Sequence, residues 1–141
     1  MRRVRFKAYG HQNVIGEHKS TVELTSEDYL SKQGTCIVGV KANLTLDELD
    51  REIKKMAQVE TTKIVLRMNV EELVEEVIGT GGSRLTYSDS TSMVARTSSY
   101  QCDRTLMINT DKAASDLSRE FINRLKDDSV VMTCELIFTT Q

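Results

Sequence analysis

The stretch "LDREI" at residues 49–53 returns as "LSREF" at residues 117–121, 68 positions further along the chain. Both stretches lie in segments whose apolar residues recur at spacings of three and four, the pattern of a helix with one buried face. The shift of 68 pairs these apolar positions as Leu46 with Ala114, Leu49 with Leu117, Ile53 with Phe121 and Ala57 with Leu125. The sequence therefore predicts two amphipathic helices in the same register.

The match extends to the segments on both sides of these helices. The shift of 68 also carries the apolar residues of 38–40 onto 106–108 and those of 64–68 onto 132–136. Upstream the shift becomes 71, and it aligns Gly10 with Gly81. The repeat predicts two tandem units, about 1–68 and 69–141, related by a pseudo-twofold axis around one core. The alternative is that unrelated segments share a common alternation of helix and strand.

Length and composition favour one ordinary globular domain, residues 1–141. The chain has 141 residues, of which 39% are hydrophobic and 28% charged, as in typical soluble domains. Nineteen basic against 21 acidic residues give a formal charge of −2, which lacks the strong basic field of a general nucleic-acid binder. No apolar stretch approaches the roughly 18 residues of a membrane span, and the amino terminus lacks a signal-peptide core. We expect a cytoplasmic protein.

The rest of the pattern predicts a β-rich fold. Val4, Phe6 and Ala8 alternate with basic residues in the first segment, which is the period of two of a half-buried strand. The chain has no proline, so its turns are expected at clusters of Gly, Asn, Asp and Ser. Further short strands are expected between these turns. The predicted fold class is α+β, a predominantly antiparallel β sandwich or barrel with two amphipathic helices. Thr45 and Glu48 are expected to form a capping box at the start of the first helix. Asp111 is expected to cap the start of the second.

Residues 69–77 carry two conflicting signals. Val70, Leu73, Val74 and Val77 have helical spacing, but the repeat makes the segment from Leu73 a strand that follows a turn. We favour the strand. It would then be the counterpart of the first strand, and charges could face each other across the molecule: Arg3, Arg5 and Lys7 against Glu71, Glu72, Glu75 and Glu76.

The three cysteines, Cys36, Cys102 and Cys134, are widely spaced and form no paired motif. This pattern indicates neither a disulfide framework nor a zinc ribbon. Cys134 shares one face of a strand with Met132 and Leu136. We predict that Cys134 is buried and unpaired.

Three stretches resemble a known family: "GHQNVIGEHKSTVELT" at 10–25, "GTCIVGVKA" at 34–42 and "SMVARTSSYQCDRTLMINTDKAASDLSRE" at 92–120. They are similar to small archaeal proteins grouped as domain of unknown function 371, and the resemblance runs through nearly the whole chain. This sequence has Gln12 where that family leads us to expect proline, and Gly82 and Ser83 where it leads us to expect a second His–Pro. The resemblance implies an archaeal source and a compact β-rich fold. It implies no activity, cofactor or catalytic residue.

Two kinds of chemical site are compatible with the sequence. His11 and His18 are the only imidazoles, and imidazole serves both as an acid–base group and as a metal ligand. Glu17 or Glu23 could act as a carboxylate partner, and Asp89 stands in the second unit at the position of His18. A small metal-dependent or acid–base enzyme with a site here is therefore one hypothesis, although nucleotide-binding and hydrolase motifs are absent.

The second candidate surface is the basic first strand. Arg3, Arg5, Lys7 and Lys19 could contact nucleic-acid phosphates beside Tyr9, or the charges could simply protect an edge strand. Only 5% of the residues are aromatic, and no RNA-binding motif is present. Our main hypothesis is a small cytosolic binding or accessory module. The sequence leaves the ligand, cofactor, partners and any homo-oligomer undetermined, and we expect no membrane partner.

Overall fold

The computed structural model describes residues 1–140, which contain eight strands and two short helices. The strands are β1 (Arg2–Tyr9), β2 (Thr21–Thr25), β3 (Ile37–Gly39), β4 (Lys63–Val70), β5 (Leu73–Thr80), β6 (Ser92–Arg96), β7 (Thr105–Met107) and β8 (Val131–Thr139). The helices are α1 (Arg51–Ala57) and α2 (Arg119–Arg124), preceded by 3₁₀ turns at Leu46–Glu48 and Ala114–Asp116. The predicted α+β class is confirmed.

The strands form two four-stranded sheets. The first sheet has the order β1-β8-β4-β5, and all of its neighbouring strands are antiparallel. The second has the order β3-β2-β6-β7, in which the central pair is antiparallel and the two outer pairs are parallel. The predicted predominance of antiparallel pairing is therefore confirmed.

The two sheets meet at their edges without closing into a barrel. Tyr9 bridges to Val40 at one edge, and Thr80 bridges to Ile108 at the other. Each contact is an isolated bridge, because β3 and β7 contain only three residues each and cannot continue the ladder. Within residues 1–140 there is thus no closed barrel, and the barrel alternative of the prediction is wrong.

The core lies between the sheets and beneath the helices. Alternate side chains of strands β1, β4 and β8 point inward, and Phe6, Leu66 and Leu136 are buried in this way. On β1, the residues on both sides of Phe6 are exposed. The helices contribute Ile53 and Phe121 to the same cluster. The second sheet has buried residues on both of its faces, including Glu23, Thr25 and Val94. The first sheet consequently provides the open face.

Both helices are shorter than their apolar stripes predicted. Leu49 and Leu117 are buried as expected, but their backbones are extended, with ψ of 146° and 147°. Each predicted helix is therefore split into a 3₁₀ turn and a helix of two turns or fewer. The Thr45 amide does donate to the Glu48 carboxylate at 2.9 Å. Asp111, in contrast, accepts from the Ile78 amide at 2.9 Å instead of capping α2.

The segment from Leu73 adopts the strand that the repeat favoured, and the turn before it is shorter than predicted because Asn69 and Val70 belong to β4. Strand β4 ends at Val70, two turn residues follow, and β5 begins at Leu73 directly opposite Val70. Glu71 supports the tight turn with a positive φ of 55°. Pairing with β4 along the whole of β5 satisfies more backbone groups than a short isolated helix could, which explains why the helical spacing is overridden.

Candidate functional site

A shallow cleft crosses β1, β8 and β4 on the outer face of the first sheet. Its volume is about 550 Å³, which falls in the range of small-molecule sites. The side chains that give it its polar character are Arg5, Lys7, Asn43, Arg67, Asn69 and Thr133. We call this surface the basic cleft.

Strand register places these side chains in two rows. Glu135 on β8 lies opposite Arg5 on one side and Arg67 on the other. Two residues away along each strand, Thr133 lies between Lys7 and Asn69. Because residues two apart in a strand share a face, the first row is ionic and the second is mainly neutral and polar.

The basic cleft as a whole is lined by more positive than negative charge, although each arginine of the ionic row is paired with a glutamate. Glu135 is buried to 8% exposure and accepts from Arg3 at 3.4 Å and from Arg5 at 3.1 Å. Arg67 donates through Nε to Glu76 at 2.7 Å. Three cations and one carboxylate line the basic cleft, which gives these lining side chains a formal charge of +2. The side chain of Arg5 remains 84% exposed, which leaves most of its donors free.

The neutral row contains groups without protein partners. The side-chain oxygen of Asn69 is buried and has no hydrogen-bond partner within the described residues. Thr133 is exposed. At the rim, Asn43 accepts from the Lys7 amide at 2.8 Å and donates its own amide to the Lys7 carbonyl at 3.0 Å. This double contact closes the free edge of β1 and fixes the side of the cleft.

The charge pairing predicted between β1 and β5 is wrong. These strands are the opposite edges of the first sheet, so Arg3, Arg5 and Lys7 cannot face the glutamates of the 71–76 segment. Three of those glutamates have other partners: Glu71 pairs with Arg124, Glu75 with Lys112 and Glu76 with Arg67. Lys19 lies in the loop before β2 and does not line the basic cleft.

The two histidines of the predicted site accept hydrogen bonds from nearby backbone amides. His11 Nδ1 accepts from the Asn13 amide at 3.0 Å. His18 Nδ1 accepts from the Ser20 and Thr21 amides, each at 3.2 Å. Asp89 has the same function before β6, where its carboxylate accepts from the Thr91 amide at 3.0 Å and from the Ser92 amide at 2.7 Å.

Glu23 contacts Cys36, a residue that the sequence hypothesis for this site did not include. The Cys36 thiol donates to Glu23 at 3.4 Å, and Thr21 Oγ1 lies 3.1 Å from His18 Nδ1. Burial and the adjacent negative charge of Glu23 raise the pKa of the Cys36 thiol to about 11. At neutral pH this thiol is protonated and weakly nucleophilic.

Glu17 is exposed, and its backbone amide donates to Thr35. Residues 1–140 contain no group of three or more His, Cys, Asp or Glu side chains arranged to hold a metal ion. A metal or acid–base site at His11, His18, Glu17, Glu23 and Asp89 stays a prediction.

The sequence reasoning found Arg5 and Lys7 but missed Glu135, Arg67 and Asn69. The alternation of polar and apolar residues in 63–70 and 131–139 was a usable signal for their outward direction. The position of these two strands beside β1 depends on the strand order of the sheet, which that alternation does not reveal. Separately, no helix in the described part of the chain has the length and apolar character needed to span a membrane.

Comparison with known proteins places the chain in a family. A family model described as Domain of unknown function (DUF371) matches residues 6–139. The chain is 41% identical over 132 residues to "Uncharacterized protein MJ0206" of Methanocaldococcus jannaschii, a match that covers 94% of this chain and 93% of that relative. The resemblance read from the sequence is thereby confirmed. This chain belongs to the DUF371 family.

Proposed function

We propose that this protein is a binding module that captures a small anionic ligand in the basic cleft. The observation that carries the proposal is a cleft of about 550 Å³ whose cations outnumber its carboxylates three to one. Lys7 forms no side-chain hydrogen bond or ion pair with residues 1–140, and it is exposed. Free cations on an ordered sheet can bind an anion with little rearrangement, which favours affinity.

A small ligand fits this surface better than a nucleic acid does. Proteins that bind single strands stack bases on aromatic side chains along a basic groove. Among the outward-facing residues of the first sheet, Tyr9 is the only aromatic one in the described structure, and it lies at the end of β1. Its ring centroid is 5.9 Å from Lys41 Nζ. The face therefore offers charge without a stacking platform.

Calorimetric titration tests this function. Inorganic phosphate should bind the full chain, and Lys7→Ala should weaken that binding about tenfold, as expected for loss of one charge-assisted contact. Lys32→Ala, which removes an exposed cation outside the cleft, is the matched control and should leave binding unchanged. A single-stranded oligouridylate is titrated in parallel. Absence of phosphate binding, or much tighter binding of the oligonucleotide, would overturn the proposal.

We also propose that the fold is one domain built from two tandem units, about residues 1–68 and 69–141. Residues 36–68 and 104–136 contain a strand, a 3₁₀ turn, a helix and a strand in the same order. The residues just after β3 and β7, Lys41 and Asn109, both have a φ of 54°. One continuous cluster of buried residues draws on both units, which supports a single domain.

Reciprocal contacts between the units further support this origin. The Gly10 amide donates to Val130 and the His11 amide to Leu125 at the end of α2. Shifted by 71 and 68 positions, the same bonds join Gly81 to Thr62 and Gly82 to Ala57 at the end of α1. Gly10 and Gly81 must both be glycine, because a Cβ would lie 2.3 Å from a carbonyl oxygen at Gly10 and 2.4 Å from one at Gly81.

We further propose that the protein works in the cytoplasm. Its three cysteines are free, which agrees with a reducing compartment. Fractionation of native cells with an antibody against the chain tests this location.

A further inference from the structure

We infer that the ligand of the basic cleft is a phosphorylated polyol of about the size of a sugar phosphate. This inference rests on the proposed anion-binding function and specifies its ligand. The phosphate would contact Arg5 and Arg67 of the ionic row and Lys7 at the end of the neutral row, and the hydroxyl groups would contact Asn69 and Thr133.

Asn69 carries the argument for a hydroxyl group. Its side-chain oxygen is buried and has no donor within residues 1–140. A buried acceptor without a donor is destabilising by about 1 to 3 kcal/mol, and such groups in native proteins usually have a partner. A hydroxyl of a ligand bound in the cleft supplies that donor, whereas a bare phosphate at neutral pH mainly offers acceptors.

The two rows match the two parts of such a ligand. The ionic row contains Arg5 and Arg67, whose planar guanidinium groups suit phosphate oxygens. The formal charge of +2 in the cleft complements the nearly two negative charges of a phosphate monoester at neutral pH. The neutral row begins two residues further along each strand, about 7 Å away at about 3.4 Å per residue. That separation is close to the distance between the phosphate and the ring hydroxyls of a sugar phosphate.

The other half of the same sheet face lacks this chemistry. The positions that correspond to Arg5 and Lys7 after a shift of 71 are Glu76 and Ile78, and the position that corresponds to Asn69 after a shift of 68 is Ile137. A carboxylate and two isoleucines cannot bind a phosphate or its hydroxyls. One ligand per chain is therefore expected.

Calorimetry on the full chain tests the inference with ribose 5-phosphate, butyl phosphate and ribose. Ribose 5-phosphate should bind one to one and at least tenfold more tightly than butyl phosphate, and ribose should not bind measurably. Asn69→Leu should remove the preference, so that ribose 5-phosphate and butyl phosphate bind this variant with equal affinity. Thr133→Val, at an exposed position of β8, should reduce the preference in the same direction. Asn123→Leu, on the exposed side of α2, is the control.

The outcomes separate this inference from the function on which it rests. Equal affinity of the wild type for both phosphate esters, or a preference that survives both Asn69→Leu and Thr133→Val, overturns the polyol and leaves anion binding in place. If neither ester nor inorganic phosphate binds, both proposals are overturned. Thermal unfolding of each variant verifies that it is folded.

Discussion

His18 and Asp89 perform the same structural task at the starts of β2 and β6, although one is an imidazole and the other a carboxylate. Each accepts two backbone amides of the residues that open the strand. The two positions are 71 apart, the same shift that relates β2 to β6. Local hydrogen bonding is thus a sufficient reason for a polar acceptor at both positions.

A pair of substitutions at His18 tests this role. Removing the acceptor in His18→Ala should lower the free energy of unfolding by about 1 kcal/mol, the usual net value of such a hydrogen bond. His18→Asp copies the arrangement at Asp89 and should recover most of that loss near neutral pH. Urea denaturation measures both. If Asp is as destabilising as Ala, acceptance by the ring nitrogen is not what stabilises the turn.

The three thiols should react in a defined order. Burial raises the pKa of Cys134 to about 12, and burial with Glu23 raises that of Cys36 to about 11. Partial burial alone would raise the pKa of Cys102, but hydrogen bonds from Thr105, the Arg104 amide and Arg96 lower it. A lower pKa leaves more reactive thiolate at neutral pH.

Maleimide labelling of the native protein, followed by peptide mass mapping, should therefore modify Cys102 first, Cys36 slowly and Cys134 only on unfolding. The rate at Cys36 should keep rising with pH above 9. Early labelling of Cys134 would contradict its buried position, which agrees with the sequence expectation that it is buried and unpaired.

At the scale of the element, the helix starts differ in their dependence on pH. Asp50 caps α1 by accepting from Ile53 at 2.9 Å, and Ser118 caps α2 by accepting from Phe121 at 3.1 Å. The hydrogen bond from Ile53 and the contact with Arg2 lower the pKa of Asp50 below its ordinary 3.8. Its contribution to stability is therefore present above about 3.8 and is lost as pH falls through the folded-state pKa.

The alanine variants of the two caps should therefore differ in how their free energy of unfolding depends on pH. Ser118→Ala should reduce the free energy of unfolding by about 1 kcal/mol, by a similar amount at pH 7 and pH 3. Asp50→Ala should destabilise at pH 7, and its difference from the wild type should shrink toward pH 3. Chemical denaturation at the two pH values measures this. Equal losses for Asp50→Ala at both pH values would show that the carboxylate charge is irrelevant to the cap.

The elements also show what sequence reasoning can and cannot supply. The apolar stripes located both helical segments because side-chain periodicity is local, yet they could not reveal the extended backbones of Leu49 and Leu117, which remain buried either way. Alternation gave the outward direction of Arg5 and Lys7. It could not give their neighbours Glu135 and Asn69, because pairing between strands some 65 to 130 residues apart depends on the global order of the sheet.

At the scale of the whole molecule, Arg2 and Phe138 occupy positions that would flank a hairpin turn. Arg2 lies opposite Phe138 in the β1–β8 pair, as Leu73 lies opposite Val70 in the β4–β5 pair. The second pair is joined by the two residues Glu71 and Glu72. Shifts of 71 and 68 positions convert one arrangement into the other.

This equivalence predicts a viable circular permutant. Phe138 is joined to Arg2 through Asn-Gly, a dipeptide suited to two-residue hairpins, and new ends are opened between Glu71 and Glu72. The permutant should fold, and its melting temperature should lie within a few degrees of that of the original chain. Thermal unfolding followed by circular dichroism tests it. A chain opened within β8, between Cys134 and Glu135, is the contrasting control and should not fold.

The pairing of Arg2 with Phe138 also has a mechanical consequence. Tension applied through the two ends would act at one end of the eight residue pairs that join β1 to β8. The load would fall on these pairs in series, so that each opens before the next is stretched, whereas a shearing geometry would load them together. A motor that pulls the ends apart would therefore peel β1 away at low force and would expose the hydrogen-bonding edge of β8 before disturbing the second sheet.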